Sequence, residues 1–129
     1  MSDIELIFHV DDDEDILELA RMSLEMVGGF NIEQANDPVL GLENIRGLKP
    51  TLLLFDVMMP GLTGPQLFQE IRKLDGYENL PVIFMTAKAQ ALQTDELRGD
   101  GVIGVVPKPF DPMELPDLIR EIWAQQQEI

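Results

Sequence analysis

Apolar and polar positions along this chain fall into two alternating patterns. Short apolar runs occur at Ile4–Val10, Phe30–Gln34, Thr51–Phe55, Pro81–Met85 and Val102–Val106. The third, TLLLF, and the fourth, PVIFM, are almost wholly apolar, as strands buried on both faces of a parallel sheet are. Between the runs, apolar residues recur three or four positions apart, which places them on one face of a helix. Ile16, Ala20, Leu24 and Val27 mark a first helix, which Gly28 and Gly29 should stop. Asp37-Pro38 reads as a cap followed by proline at the first helical position, with Val39, Leu42 and Ile45 as the apolar face. Leu67, Ile71 and Leu74 mark a third helix, and residues 89–98 a weaker fourth with few large apolar side chains. Asp111-Pro112 should cap a fifth, with Leu115, Leu118, Ile119, Ile122 and Trp123 facing inward. Pro116 predicts a kink in the first turn of that helix or a delayed start.

Strands separated by helical patterns imply an α/β fold, here (βα)5: a doubly wound, five-stranded parallel sheet with helices on both faces. A closed barrel would need eight such units and about twice the length. One domain is expected over residues 1–124, followed by a short polar tail from Gln125 to Ile129 that should fray.

In an open sheet of this kind the site lies outside the carboxyl ends of the strands. The first expected strand runs into Asp11 and Asp12, the third into Asp56, the fourth into Thr86, and the fifth is followed by Lys108. These five groups should face one crevice. Three carboxylates make a hard, oxygen-rich set that suits Mg2+ or Mn2+. The lysine ammonium and threonine hydroxyl add donors for an anion. Together they fit phosphoryl transfer, in which the protein contributes mainly position and charge, and in which a carboxylate can itself be the nucleophile and form an aspartyl phosphate.

Composition narrows the picture. The formal net charge is −15, from 9 basic and 24 acidic residues. That excess disfavours nucleic-acid phosphates and anionic membrane surfaces as partners and favours cations or a basic protein surface. There are no cysteines, so disulfide and thiolate chemistry are excluded. The N-terminus, MSDIELIF, has no basic segment of the kind that opens a secretory signal. No apolar stretch reaches the roughly 18 residues of a membrane span. A cytoplasmic location is the expectation.

Taken singly, each site residue has an ordinary structural explanation. An aspartate after a strand is usually a turn or cap residue, Thr86 could be an N-cap, and Lys108 a solvated charge. Asp13, Glu14 and Asp15 are acids at a helix start, favoured by the helix dipole, and receive no chemistry. His9 lies within the first strand and reads as a core or edge histidine. The 7 methionines read as packing, although Met58 and Met59 lie beside Asp56. The placement of five polar groups at the correct strand ends carries the functional reading.

Four motifs then complete it: VDDDEDI (10–16), LLLFDVMMPGLTG (52–64), FMTAKAQ (84–90) and GVVPKPFDP (104–112). With them the chain resembles, over essentially its whole length, the receiver domain of two-component response regulators. The resemblance implies a flavodoxin-like strand order, 2-1-3-4-5, for which the family is itself a standard example. It implies that Asp56 is the phosphoacceptor and that Asp11, Asp12, Asp56 and the backbone carbonyl of Met58 bind Mg2+. Thr86 would hydrogen-bond the phosphoryl group and Lys108 pair with it, Ala87 and Val105 would belong to the switch, and the Lys108–Pro109 peptide would be cis. Many family members carry an aromatic residue at the position of Val105. With valine there is no ring to turn, and output is expected through the fourth helix, the following loop or a shift of Thr86.

By the same resemblance the donor is a histidine kinase or histidine phosphotransfer protein, and the domain signals rather than acting as an enzyme, although it assists its own phosphorylation and dephosphorylation. GVVPKPFDP is closer to stand-alone receivers and those attached to hybrid kinases than to receivers of DNA-binding regulators. The chain ends soon after the fifth helix, so output through a downstream protein partner is expected. Two rival readings differ in one feature each. A haloacid-dehalogenase-type phosphatase also places a nucleophilic aspartate after a strand but wants a second two residues later, where this chain has Met58. A pseudo-receiver would bind partners without being phosphorylated.

Overall fold

The alternation that predicts a two-faced sheet is realised residue by residue. The structure is a computed structural model that describes residues 3–87 and 97–127. Strands β1 (Ile7–Val10), β2 (Ile32–Ala35), β3 (Leu52–Asp56), β4 (Val82–Thr86) and β5 (Val102–Pro107) form one parallel sheet in the order β2-β1-β3-β4-β5. In β3, Leu53 and Phe55 face a core layer that holds Phe8, Val10, Leu67, Ile71 and Phe84. Leu52 and Leu54 face the opposite layer, with Ile7, Leu24, Ile83, Met85, Ile119 and Trp123. All five residues of β3 and all five of β4 are buried, as their unbroken apolar runs require. Each fully buried Leu or Phe contributes about 1.5–3 kcal/mol through loss of apolar surface to water.

Helix α1 (Glu14–Arg21) starts at Asp13, whose side chain accepts hydrogen bonds from the backbone of Asp15 (2.9 Å) and Ile16 (3.4 Å). It continues into a π-helical turn over Met22–Val27, in which the Gly28 N–H reaches the Ser23 carbonyl five residues back, at 3.0 Å. Gly28 and Gly29 end the helix as expected, Gly29 with φ +73°. The wide turn was not expected, and it displaces the apolar face: Leu24 is fully buried, whereas Val27 is exposed.

Helix α2 (Pro38–Leu48) is capped by Asp37, which accepts from the Leu40 N–H at 3.0 Å. Its inward face is Pro38, Gly41 and Ile45, with Leu42 partly buried; Val39, expected inward, faces solvent. Gly41 is small because α2 approaches β1 closely: a Cβ there would lie 3.1 Å from Cγ2 of Val10. Helix α3 (Gly64–Arg72) opens with a capping box in which Thr63 and Gln66 bond each other's backbone N–H groups. Helix α4 (Leu115–Gln127) starts late, as Pro116 demands: residues 112–114 form a turn on Asp111, and Pro116 falls within the first helical turn, where its missing N–H breaks no bond. The polar residues from Gln125 are helical as far as Gln127. The expected helix over residues 89–98 lies outside the described residues, apart from Leu97 and Arg98. No helix among the described residues is long and apolar enough to cross a membrane.

Candidate functional site

Strand register brings the predicted groups to one edge of the sheet. Val10 pairs with Phe55, Asp56 with Met85, and Thr86 with Pro107, so β1, β3, β4 and β5 end nearly level. Two boundaries differ from expectation: Asp56 and Thr86 are the last residues of their strands rather than the first residues beyond them. Both are therefore held by the sheet ladder. The Val57 N–H extends it, donating to the Met85 carbonyl at 3.1 Å, and the Lys108 N–H donates to the Thr86 carbonyl at 2.8 Å.

Asp11 is fully buried, Asp56 is 8% exposed, Thr86 is buried and Asp12 is exposed. Carboxylate oxygens of Asp11, Asp12 and Asp56 lie within 4.8 Å of one another. Lys108 reaches into this cluster, its Nζ 2.7 Å from Oδ2 of Asp11 and 3.1 Å from Oδ1 of Asp56. The other Asp11 oxygen accepts the Asp13 N–H at 2.9 Å, so both oxygens of this buried carboxylate are engaged. The Lys108–Pro109 peptide is cis. Met58 lies two residues past Asp56 with its side chain exposed, and Ala87 is exposed beside Thr86. Val105 is partly buried against the core layer beneath α3.

Charge is unevenly balanced here. Burial raises the Asp56 pKa above its ordinary value, and the charge of Asp11 adds to this; Lys108 opposes both, and Asp12 adds a smaller increment. Burial alone would lower the pKa of Lys108, but its hydrogen bond and charge interaction with Asp11, followed by those with Asp56, raise it. Three carboxylates against one ammonium leave −3 + 1 = −2. An oxygen-donor set with that excess fits a hard divalent cation, whose charge would relieve the repulsion that works against Asp56.

His9, expected in the core or at an edge, is in the core. Its Nδ1 lies 3.0 Å from Nε2 of Gln34. That amide is oriented by two other bonds: Nε2 donates to the Leu17 carbonyl at 2.7 Å, and Oε1 accepts from Nε of Arg21 at 3.0 Å. Nδ1 is therefore the acceptor and the proton sits on Nε2. Burial, with Lys108 and Arg21 nearby, lowers the His9 pKa to about 3. A β2 glutamine that fixes a β1 histidine leaves no periodic signal in the sequence.

Residues 7–120 match the family model described as "Response regulator receiver domain". The chain belongs to this family. Among curated proteins, this receiver is 32% identical over 120 residues to "Response regulator Rre1" of Synechocystis, covering 92% of this chain and 51% of that protein. It is 39% identical over 117 residues to "Transcriptional regulatory protein CpxR homolog" of Haemophilus influenzae, covering 88% and 48%. The chain thus spans about half the length of these relatives. A solved structure of response regulator TrrA from Thermotoga maritima, in complex with Mg(2+)-BeF, is 25% identical and superposes with a TM-score of 0.78 over 92% of this chain and 99% of that one. Transcriptional regulators and a hybrid kinase are both among the matching relatives. Family membership removes the phosphatase alternative, for which Met58 already stood in the wrong place.

Proposed function

We propose that Asp56 accepts a phosphoryl group from a phosphohistidine of a histidine kinase or histidine phosphotransfer protein. The observation that carries this reading is the near-buried Asp56 carboxylate, which lies 3.1 Å from the Lys108 ammonium and within 4.8 Å of oxygens of Asp11 and Asp12 at the carboxyl edge of the sheet. An Asp56 oxygen attacks phosphorus in line with the imidazole. The P–N bond breaks as the O–P bond forms, and the histidine leaves, taking a proton from solvent. Lys108, already within reach of Asp56, pairs with the phosphoryl oxygens, and the Thr86 hydroxyl donates to one of them. Asp11, Asp12, Asp56 and the Met58 carbonyl would hold Mg2+, with Mn2+ as a substitute, and the ion would neutralise charge on the phosphoryl oxygens. Hydrolysis of the acyl phosphate returns the carboxylate, so the domain is a signalling element that assists its own modification.

The added charge changes affinity for a downstream protein. Val105 and Ala87 lie next to the phosphoryl-binding edge, and with valine at 105 the signal travels without a turning ring. The excess of acidic residues supports a protein partner rather than a direct nucleic-acid or membrane contact for this domain. The test is adduct formation with beryllofluoride and Mg2+, read by NMR, in wild type and Asp56→Ala. An adduct in wild type only is expected. No adduct in either would leave a pseudo-receiver.

A further inference from the structure

Gly64 is the first residue of α3, and it is buried. Its backbone is not among the left-handed glycines Gly29, Gly61, Gly76 and Gly101, so a positive φ does not explain it. Space does. A Cβ on Gly64 would lie 2.3 Å from the carbonyl oxygen of Asp56, 3.1 Å from its carbonyl carbon and 3.3 Å from Cδ1 of Phe84. The nearest of these atoms is backbone, which cannot swing aside as a flexible side chain can. The Gly64 N–H also donates to the Val57 carbonyl at 2.8 Å. The first turn of α3 is therefore seated directly on the peptide that carries Asp56.

That peptide has little room to retreat. On its far side the Val57 N–H is bonded to the Met85 carbonyl at 3.1 Å, and Phe55 and Phe84 are fully buried. A side chain at position 64 would lift α3 off the Val57 carbonyl or tilt the Asp56–Val57 peptide. Either movement alters the distance from the Asp56 carboxylate to Lys108, now 3.1 Å, and to the Asp11 and Asp12 oxygens. We propose that Gly64 is a positioning residue for the phosphoacceptor: the missing Cβ sets the depth at which Asp56 stands beside Asp11, Asp12 and Lys108. This rests on the phosphoacceptor reading above.

The test is the Mg2+ affinity of the unphosphorylated protein, measured by titration calorimetry, with beryllofluoride adduct formation alongside and circular dichroism as the check on folding. Gly64→Ala is compared with Gly47→Ala in α2, where a Cβ would meet nothing within 4 Å. Because a proline disfavours helical backbone at a preceding residue that bears a Cβ, Gly64→Ala is also made together with Pro65→Ala, against Pro65→Ala alone. The expected result is a folded Gly64 variant whose Mg2+ affinity falls by about tenfold, as when a group orienting metal ligands is lost, while Gly47→Ala matches wild type. A loss of about threefold or more supports the role, and a smaller loss overturns it. Should no Gly64 variant fold, Thr63→Ala with Gln66→Ala loosens the same seating from the surface. Weaker Mg2+ binding then supports the role, and unchanged binding overturns it. A wild-type protein that binds no Mg2+ overturns the functional reading and this role together, whereas wild-type binding with an unaffected variant overturns only the role of Gly64.

Discussion

The Lys108 ammonium lies 2.7 Å from Oδ2 of Asp11, a carboxylate with no exposed surface. Lys108 thus stands where it can compensate the buried charge of β1 and still touch Asp56 at 3.1 Å. Breaking a buried pair by removing one partner costs about 3–5 kcal/mol, mainly because the other charge is left unpaired. Lys108→Met should therefore lower metal-free stability by an amount of that order and reduce phosphoryl acceptance. It should leave Mg2+ binding intact or tighter, since a competing cation is gone. Thermal unfolding with and without Mg2+ checks this, and a Lys108→Met protein as stable as wild type without metal would contradict it.

Asp56 behaves in the opposite way. Its folded pKa is raised by burial and by Asp11. The stability it contributes is fully present below its unfolded value, near 3.8, and is lost as pH rises through the folded value. Above the folded value the ionised side chain therefore works against the metal-free fold. Asp56→Asn should raise the metal-free Tm at pH 7 by roughly a few degrees, with the advantage shrinking in acid and in Mg2+. A lower Tm for Asp56→Asn at pH 7 would show that the Lys108 contact outweighs the repulsion.

His9 sets an acid limit by a different route. Its folded pKa is depressed, from 6.5 to about 3. The stability tied to its neutral form is present above pH 6.5 and is lost as pH falls towards about 3. Through that interval the loss approaches about 1.4 kcal/mol per pH unit. His9→Leu should flatten the pH dependence of unfolding free energy between pH 4 and 6 by about that slope. Urea titrations at several pH values measure it, and parallel curves for the two proteins would refute it.

Adjacent acids should separate cleanly. Asp12 belongs to the carboxylate cluster, and Asp13 caps α1. Asp12→Ala should abolish Mg2+-dependent phosphorylation while leaving stability near wild type or higher. Asp13→Ala should cost about 1 kcal/mol of stability, the usual loss of a cap, and still be phosphorylated. Asp15→Ala should change neither greatly.

Much of this was legible because strands buried on both faces leave continuous apolar runs, and such runs point to their own ends. Asp11, Asp56 and Thr86 could be found by reading one residue past a run, and Lys108 by reading two past the last. What was not legible depends on distance in space. The π-helical turn at Met22–Val27 hides behind a regular apolar spacing, and the Gly28–Ser23 hydrogen bond and the exposure of Val27 reveal it. Val39 has the spacing of a core residue, yet α2 sits close enough to β1 that Gly41 occupies the contact. Gly61 and Gly64 stand three positions apart in one motif, and their roles separate only in space: Gly61 has φ +90°, whereas Gly64 abuts the Asp56 carbonyl. The Thr63–Gln66 capping box, by contrast, was present as a local signal and predicts the start of α3 once sought.

The central claim is that Asp56 is the phosphoacceptor and depends on a divalent cation held beside it. Intact-protein mass after incubation with acetyl phosphate tests it most directly, with and without Mg2+, in wild type and Asp56→Ala. The account predicts a gain of one phosphoryl group in wild type with Mg2+, lost on chelation and absent from Asp56→Ala. No gain in wild type, or an equal gain in Asp56→Ala, would contradict it.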